Sequence, residues 1–337
     1  MVLSLLNYLV FGFKKLILLD KLVVVTGASS GIGLEITKEL ARKGSRVILI
    51  ARNENKLKET IEEIKVQFGN EQCYYISSDL SKEEDLNNCI KEISRITNEL
   101  GQYVEVLVNC AGAGNWKFIE ETSFKECNEM MSLPYFAAFN MTKLLLEPML
   151  LHGEGTIVNI NSPVSFNVWG GCIGYACSRW ALRGFTECLR VDLRGTGVNV
   201  LEVVPGETKS EYFQNNGIND DSFPLLSKYV PKVTVDQVAK GTIKAIENRK
   251  QKLILPFMLN FARYFTFYPF SILLKYLLLS EKSRNRLLSI KLKQQQFKLK
   301  QQQYQQQQYQ QQQKEQQKEQ QKEQNRQFEK IPQTKQE

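Results

Sequence analysis

Val23-Val24-Val25-Thr26-Gly27-Ala28-Ser29-Ser30-Gly31-Ile32-Gly33 carries an apolar, β-branched run straight into three spaced glycines. Leu34 to Arg42 then places apolar residues at helical spacing, so the stretch predicts strand, tight turn and helix in that order. Glycine tolerates left-handed backbone and lets peptide N–H groups come close to a ligand. A helix start adds partial positive charge at the same point, which suits a bound pyrophosphate. An ordinary glycine turn between a strand and a helix has the same spacing, and the segments downstream decide between the two.

Those segments repeat the strand–helix alternation. Arg46–Ile50, Val104–Val108, Gly155–Ile160 and Val198–Val204 read as strands, with amphipathic stretches at Asn55–Phe68 and Lys82–Leu100 between them. Alternation of this kind predicts βαβ units with right-handed crossovers, hence an α/β domain built on a doubly wound, mostly parallel sheet over residues 20–250. Seven cysteines without close pairs point to a reducing compartment. His152 is the single histidine and no CxxC occurs, so no metal site is expected.

The TGxxxGxG spacing of Thr26, Gly27, Gly31 and Gly33 resembles the short-chain dehydrogenase/reductase family. Further segments carry the likeness in the same order. These are Asp79-Leu80 after Tyr74–Ser78, Asn109-Cys110-Ala111-Gly112, Ser162 followed thirteen residues later by Tyr175-Ala176-Cys177-Ser178-Arg179, and Pro205-Gly206-Glu207-Thr208 after Val198–Val204. The resemblance implies a Rossmann-like fold and a nicotinamide dinucleotide cofactor. Gly27, Ser29, Ser30, Gly31, Ile32 and Gly33 would hold its phosphates, and Asp79 and Leu80 would lie against the adenine. Asn109, Ala111, Gly112, Tyr175, Arg179, Pro205 and Gly206 would line its path, and Thr208 would bond the carboxamide. Arg52 stands after the second strand, where NAD-selective members of the fold offer a carboxylate to the ribose hydroxyl. A guanidinium there favours NADP (NADPH), because it pairs with the 2′-phosphate in forked geometry.

The resemblance also implies the chemistry. Reducing a carbonyl needs hydride on carbon and a proton on oxygen, and a phenol delivers that proton only with a cation beside it. Tyr175 would be the acid, Ser162 would hold the substrate oxygen, and Arg179, one helical turn from Tyr175, would be the cation. Two positions depart from the family. Arg179 replaces a lysine and cannot release its proton, and Pro134 stands where a helix usually contributes an asparagine. The expected activity is therefore NADP(H)-dependent oxidoreduction between a ketone and a secondary alcohol, the alternative being a catalytically weak NADP-binding scaffold. Lys209 to Lys232 shows no sustained period and reads as a mobile loop shaping the substrate pocket.

Both ends of the chain bear on location. Residues 1–19 form an apolar segment interrupted by Lys14-Lys15, whose first thirteen residues are too short to span as a helix; the segment is expected to associate with a membrane or to pack on the domain's own surface. Residues 251–290 form an apolar, aromatic-rich extension broken by Pro256 and Pro269, expected as helices in the interface plane or as a dimer contact. Together they predict an apolar small-molecule substrate, lipid- or steroid-like, and a membrane partner, the endoplasmic reticulum with the catalytic domain facing the cytosol. Residues 291–337 are rich in Gln, Lys and Glu, with ten basic and five acidic residues, and are expected to be disordered or a loose polar helix. Most of the chain's net charge of +8 sits there, so no nucleic-acid partner is expected of the folded domain. A homodimer is a further expectation.

Overall fold

The β-branched runs of the sequence become the strands of one sheet. A computed structural model describes residues 15–209, 212–262 and 280–328. Its main strands are β1 (Leu22–Thr26), β2 (Arg46–Ala51), β3 (Cys73–Ser77), β4 (Val106–Asn109), β5 (Gly155–Ile160) and β6 (Val198–Pro205); β7 (Thr208–Lys209) and β8 (Val233–Thr234) form a separate pair, and β9 (Lys252–Leu255) completes the large sheet. The large sheet runs β3-β2-β1-β4-β5-β6-β9, and every neighbouring pair is parallel. The expected Rossmann-like, doubly wound topology is therefore observed.

Helices cover both faces. The helices among the described residues are α1 (Gly31–Arg42), α2 (Glu54–Phe68), α3 (Glu83–Leu100), α4 (Phe124–Met131), α5 (Ala138–His152), α6 (Ile173–Asp192), α7 (Tyr212–Asn215), α8 (Val235–Glu247), α9 (Leu259–Ala262) and, outside the sheet domain, α10 (Glu281–Phe328). Alternate residues of each strand serve opposite cores. Val23, Val25, Val47, Leu49, Val106 and Val108 pack with Ile36, Leu40, Leu57 and Ile243, whereas Val24, Ile48, Ile50 and Leu107 pack with Ile93, Met141 and Leu189. Burial on both faces is why the strands read as unbroken apolar runs and not as alternating ones. Strand order reverses between β1 and β4, and the crevice of such a sheet opens at the carboxyl ends of those strands.

Two expectations about the chain ends change. Lys252–Leu255 begins the segment expected as a helical extension, yet it pairs with β6 as the edge strand. Ile254 is buried there with Phe166, Val204 and Leu259, and Pro256 ends the run after four residues. Leu16 and Leu18, expected in the membrane segment, are buried in the domain core, and the Leu16 N–H donates to the Glu247 carbonyl at 2.8 Å. An apolar run reads the same in a core and in a bilayer, which is why sequence left both uses open. The Gln-rich segment, expected to be disordered or a loose polar helix, is helical through Phe328: Gln, Lys and Glu are good helix formers, and neither Gly nor Pro occurs between Glu281 and Phe328. Residues 1–14 and 263–279 lie outside the described residues. Among the described residues no helix is long and apolar enough to cross a membrane. The chain divides into two compact units, 1–281 and 282–337.

Between α4 and α5, residues Ser132–Ala137 form a π-helical turn around Pro134. Proline has no N–H for the regular ladder, and the wide turn carries the chain through the break.

Candidate active site

The glycine turn is set by sterics. Gly27 and Gly31 hold φ of 70° and 56°, a region costly for side chains. A Cβ on Gly33 would collide with the Gly27 carbonyl oxygen, so only hydrogen lets the turn close. Ala28 N–H donates to Ile50 O at 3.2 Å, fixing the loop against β2. Ser30 precedes α1 without a side-chain cap, and the first turn of that helix has no acidic residue. Its N–H groups and dipole end therefore face the crevice without an internal anion. Ser29 is half-buried, Ser30 exposed, and Ile32 packs on the core.

Thr26, which the sequence reading used only as part of the motif, joins this turn to the one after β4. Its Oγ1 accepts from the N–H groups of Cys110 and Ala111, both at 3.0 Å. Ala111 and Gly27 approach so closely that a Cβ on Gly27 would meet the Ala111 backbone at 3.0 Å. Burial of its sulfur pushes the Cys110 thiol up to about 12, against the pull of Arg179, so this half-buried residue is a small neutral group and not a thiolate. Asn109 turns away from the crevice: its amide donates to Asn159 Oδ1 at 2.9 Å and Thr142 Oγ1 at 3.3 Å.

Arg52 extends from the end of β2 into an open hollow lined with Asn53, Glu54 and Asn55. Asp79 accepts from Ser81 Oγ at 2.7 Å. Burial works to raise its pKa, but the Ser81 bonds and the charges of Arg52 and Lys82 outweigh it and hold the carboxyl below its ordinary value. Leu80 is buried beneath α3.

Ser162 follows β5 and is buried; its Oγ accepts from Val164 N–H at 3.5 Å. Tyr175, only 6% exposed, lies in the first turn of α6. Arg179 stands one turn further, its guanidinium carbon 5.1 Å from the centre of the Tyr175 ring. Arg179 Nη1 donates to Ile160 O at 3.0 Å, and a Cβ on Gly112 would come within 2.7 Å of Nη2, so glycine makes room for the cation. Arg179 Nε is buried with no hydrogen-bond partner. Burial opposes the Arg179 charge, and the neighbouring Tyr175, Tyr212 and Cys110 groups more than offset that. Beyond β6 and its last residue Pro205, Gly206 N–H donates to Leu255 O at 2.6 Å, and Thr208 Oγ1 donates to Gly206 O at 3.0 Å.

Sequence reasoning missed the side chains that close this end. Trp116 lies between Trp169, Tyr175, Phe213 and Phe223, with ring centroids at 5.4, 5.8, 6.1 and 4.9 Å. Tyr212 Oη and the Tyr175 ring press on Gly114, leaving no space for a Cβ there. Asn216 pins the same segment, accepting from Gly114 N–H at 3.0 Å and donating to Tyr212 O at 2.6 Å. Burial pushes the Tyr212 phenol up, so it remains a neutral donor. Tyr212, Phe213, Asn216 and Phe223 fall in the Lys209–Lys232 stretch expected to shape the pocket, but no periodicity marked these individual side chains, nor Trp116 and Trp169.

The glycine cradle, the open helix start and the orphaned Arg179 Nε together fit a dinucleotide lying from Arg52 to Tyr175. Comparison with known proteins agrees. A family described as short chain dehydrogenase matches residues 21–221. The ketoacyl reductase HetN of Nostoc sp. is 30% identical over 243 residues, covering 71% of this chain and 79% of that protein. Short-chain dehydrogenase/reductase 3 of Homo sapiens is 30% identical over 240 residues, covering 71% and 76%. The alcohol dehydrogenase of the archaeon Thermococcus sibiricus, solved with 5-hydroxy-NADP, superposes with a TM-score of 0.60 at 25% identity, covering 70% of this chain and 96% of that one.

Proposed function

Because the chain belongs to the short-chain dehydrogenase/reductase family, whose members are nicotinamide-dependent oxidoreductases, we propose that it is an NADPH-dependent reductase of a ketone on an apolar substrate. The observation that carries this reading is the buried pair of Tyr175 and Arg179, set between the end of β5 and the glycine cradle.

Gly27, Gly31, Gly33 and the first turn of α1 would hold the pyrophosphate, and Arg52 the 2′-phosphate. Arg179 would meet the nicotinamide ribose, and Thr208 the carboxamide. When bound, the reduced nicotinamide supplies the hydride that reaches the carbonyl carbon. Tyr175 gives its phenolic proton to the carbonyl oxygen, and Ser162 Oγ donates to that oxygen as charge builds on it. Arg179 steadies the resulting phenolate as a fixed charge. The proton then returns to Tyr175 from solvent, because a guanidinium does not release one.

Trp116, Trp169, Phe213 and Phe223 around Tyr175 support an apolar substrate and exclude water from the transfer. HetN is a ketoacyl reductase by name, and a carbonyl on an acyl chain meets the same description. The apolar stretches at residues 1–13 and 263–279 support attachment to a membrane, with the catalytic domain on the cytosolic side of the endoplasmic reticulum.

The test is titration of the full-length protein in detergent with NADPH and NADH, followed by NADPH oxidation across a panel of apolar ketones. Tight NADPH binding, with turnover abolished in Tyr175→Phe, supports the reductase; turnover indifferent to that change sinks it. One observation favours a second reading, an NADP-binding protein with little turnover: the π-helical turn at Pro134 offers no amide where the family has its asparagine. Tight binding without turnover on any ketone would select it.

A further inference from the structure

Strand register brings four polar side chains into one row across the sheet. Asn109 on β4 is level with Asn159 on β5, Asn159 with Glu202 on β6, and Glu202 with Lys252 on β9. Central strands of a parallel sheet are ordinarily apolar, and a polar row inside one is tolerated only when its groups are paired. The first half of this row bonds within itself, although Asn109 Oδ1 is buried without a hydrogen-bond partner. Asn109 donates to Asn159 Oδ1 at 2.9 Å, and Asn159 donates to Thr186 Oγ1 at 2.9 Å.

The second half points at the site. Glu202 is 1% exposed, and its Oε2 pairs with Lys252 Nζ at 3.0 Å. Its other oxygen, Oε1, accepts from Asn161 Nδ2 at 2.9 Å. The same Asn161 amide touches both neighbouring site residues: Oδ1 accepts from Ser162 N–H at 2.9 Å, and Nδ2 also donates to the Arg179 carbonyl at 3.3 Å. An ion-paired carboxylate only accepts hydrogen bonds. It therefore dictates which end of the amide faces it, and so which end faces Ser162. Were the amide reversed, oxygen would face oxygen at Glu202, and the Ser162 N–H would face an NH2 group.

We propose that Glu202 is a positioning residue for the reaction, fixing the Asn161 amide and through it Ser162 and the Arg179 turn of α6, with Lys252 as the cation that keeps the carboxylate in the sheet. The inference rests on the reductase reading above. Glu202 touches neither substrate nor cofactor, and the Asn161 amide reaches Arg179 only at its backbone carbonyl, so the effect falls on turnover more than on cofactor affinity.

The experiment uses the full-length protein and measures melting temperature, NADPH affinity by fluorescence, and kcat and KM with whichever apolar ketone the panel yields. Glu202→Leu is expected to lower kcat about tenfold or more while NADPH affinity stays within about twofold, as the loss of a group acting through others predicts. Glu202→Gln, whose amide oxygen can still accept from Asn161, is expected to recover part of that loss. Asn161→Ala covers the case in which Glu202→Leu does not fold, and it should lower kcat to the same degree. The double variant Glu202→Leu with Asn161→Ala should be no worse than Asn161→Ala alone. A folded Glu202→Leu or Asn161→Ala protein with kcat within twofold of the parent overturns the proposal, as does a Gln variant no better than Leu. Absence of turnover in the parent is a different failure: it removes the reductase reading, and this inference with it.

Discussion

Arg179 is held by the strand and not by the phenol it faces: its Nη1 donates to Ile160 O at 3.0 Å, while its guanidinium carbon lies 5.1 Å from the centre of the Tyr175 ring. A planar fork can serve a carbonyl with one nitrogen and keep the others toward the crevice. A lysine has one ammonium on a flexible stem and must choose.

Arg179→Lys is therefore expected to reduce turnover even though lysine is the family's usual residue. Loss of one hydrogen bond from a charged group is worth ~1.5–3 kcal/mol, or about one to two orders of magnitude in kcat/KM. Steady-state kinetics with NADPH and an apolar ketone checks this. A rise in turnover would mean that the site has drifted from a lysine ancestor and would favour the weakly catalytic reading.

Arg52 should set cofactor choice. It borders an open hollow at the end of β2, and Asp79, whose carboxyl feels its charge, is already engaged by Ser81. Arg52→Ala is expected to weaken NADPH about tenfold and leave NADH unchanged, since only NADPH presents a phosphate to the fork. Fluorescence titration with both cofactors decides it, and equal losses for the two would remove the NADP preference from Arg52.

The sheet was legible because strands buried on both faces announce themselves as apolar runs, and Tyr175 and Arg179 could be set on one helix face because they stand four residues apart. What the sequence concealed depends on tertiary placement. Glu202 and Lys252 look like ordinary polar residues until register sets them side by side. Tyr212 and Trp116 lie in segments with no period, so nothing in the chain tells that they meet at Gly114 and Tyr175. Leu16 and Leu18 show the converse difficulty, because a short apolar stretch carries no mark of whether protein or lipid will cover it.

Acid should release one local constraint. Glu126 closes the capping box of α4, accepting from Ser123 N–H at 2.9 Å and pairing with Lys117; the Lys117 bond first, and the Ser123 bonds after it, hold its carboxyl at about 2 instead of 4.5. A carboxyl depressed in the folded state stabilises it fully above the ordinary value, and that contribution is lost as pH falls from about 4.5 through about 2. Glu126→Gln lacks this titration. Melting temperatures at pH 7, 4 and 2 are expected to show the parent ahead of the variant at pH 7, the gap narrowing below pH 4.5 and closing near 2. A gap independent of pH would show that Glu126 contributes by shape alone.

Thr26 should matter more than its small size suggests. Its Oγ1 is the acceptor for two consecutive N–H groups, of Cys110 and Ala111 at 3.0 Å each, and so ties the end of β1 to the turn after β4. Thr26→Val keeps the shape and removes the oxygen, leaving both donors without it. Each such loss costs ~1–3 kcal/mol, so a destabilisation of ~2–6 kcal/mol is expected. In a domain of this size that lowers the melting temperature by roughly 4–24 °C. Thr26→Ser retains the oxygen and should recover most of the loss. NADPH affinity should fall in the valine variant as well, because the Ala111 backbone it releases is the surface on which Gly27 rests. A valine variant that melts with the parent and binds NADPH equally well would mean that the two amides find another acceptor, and that the glycine cradle does not depend on Thr26.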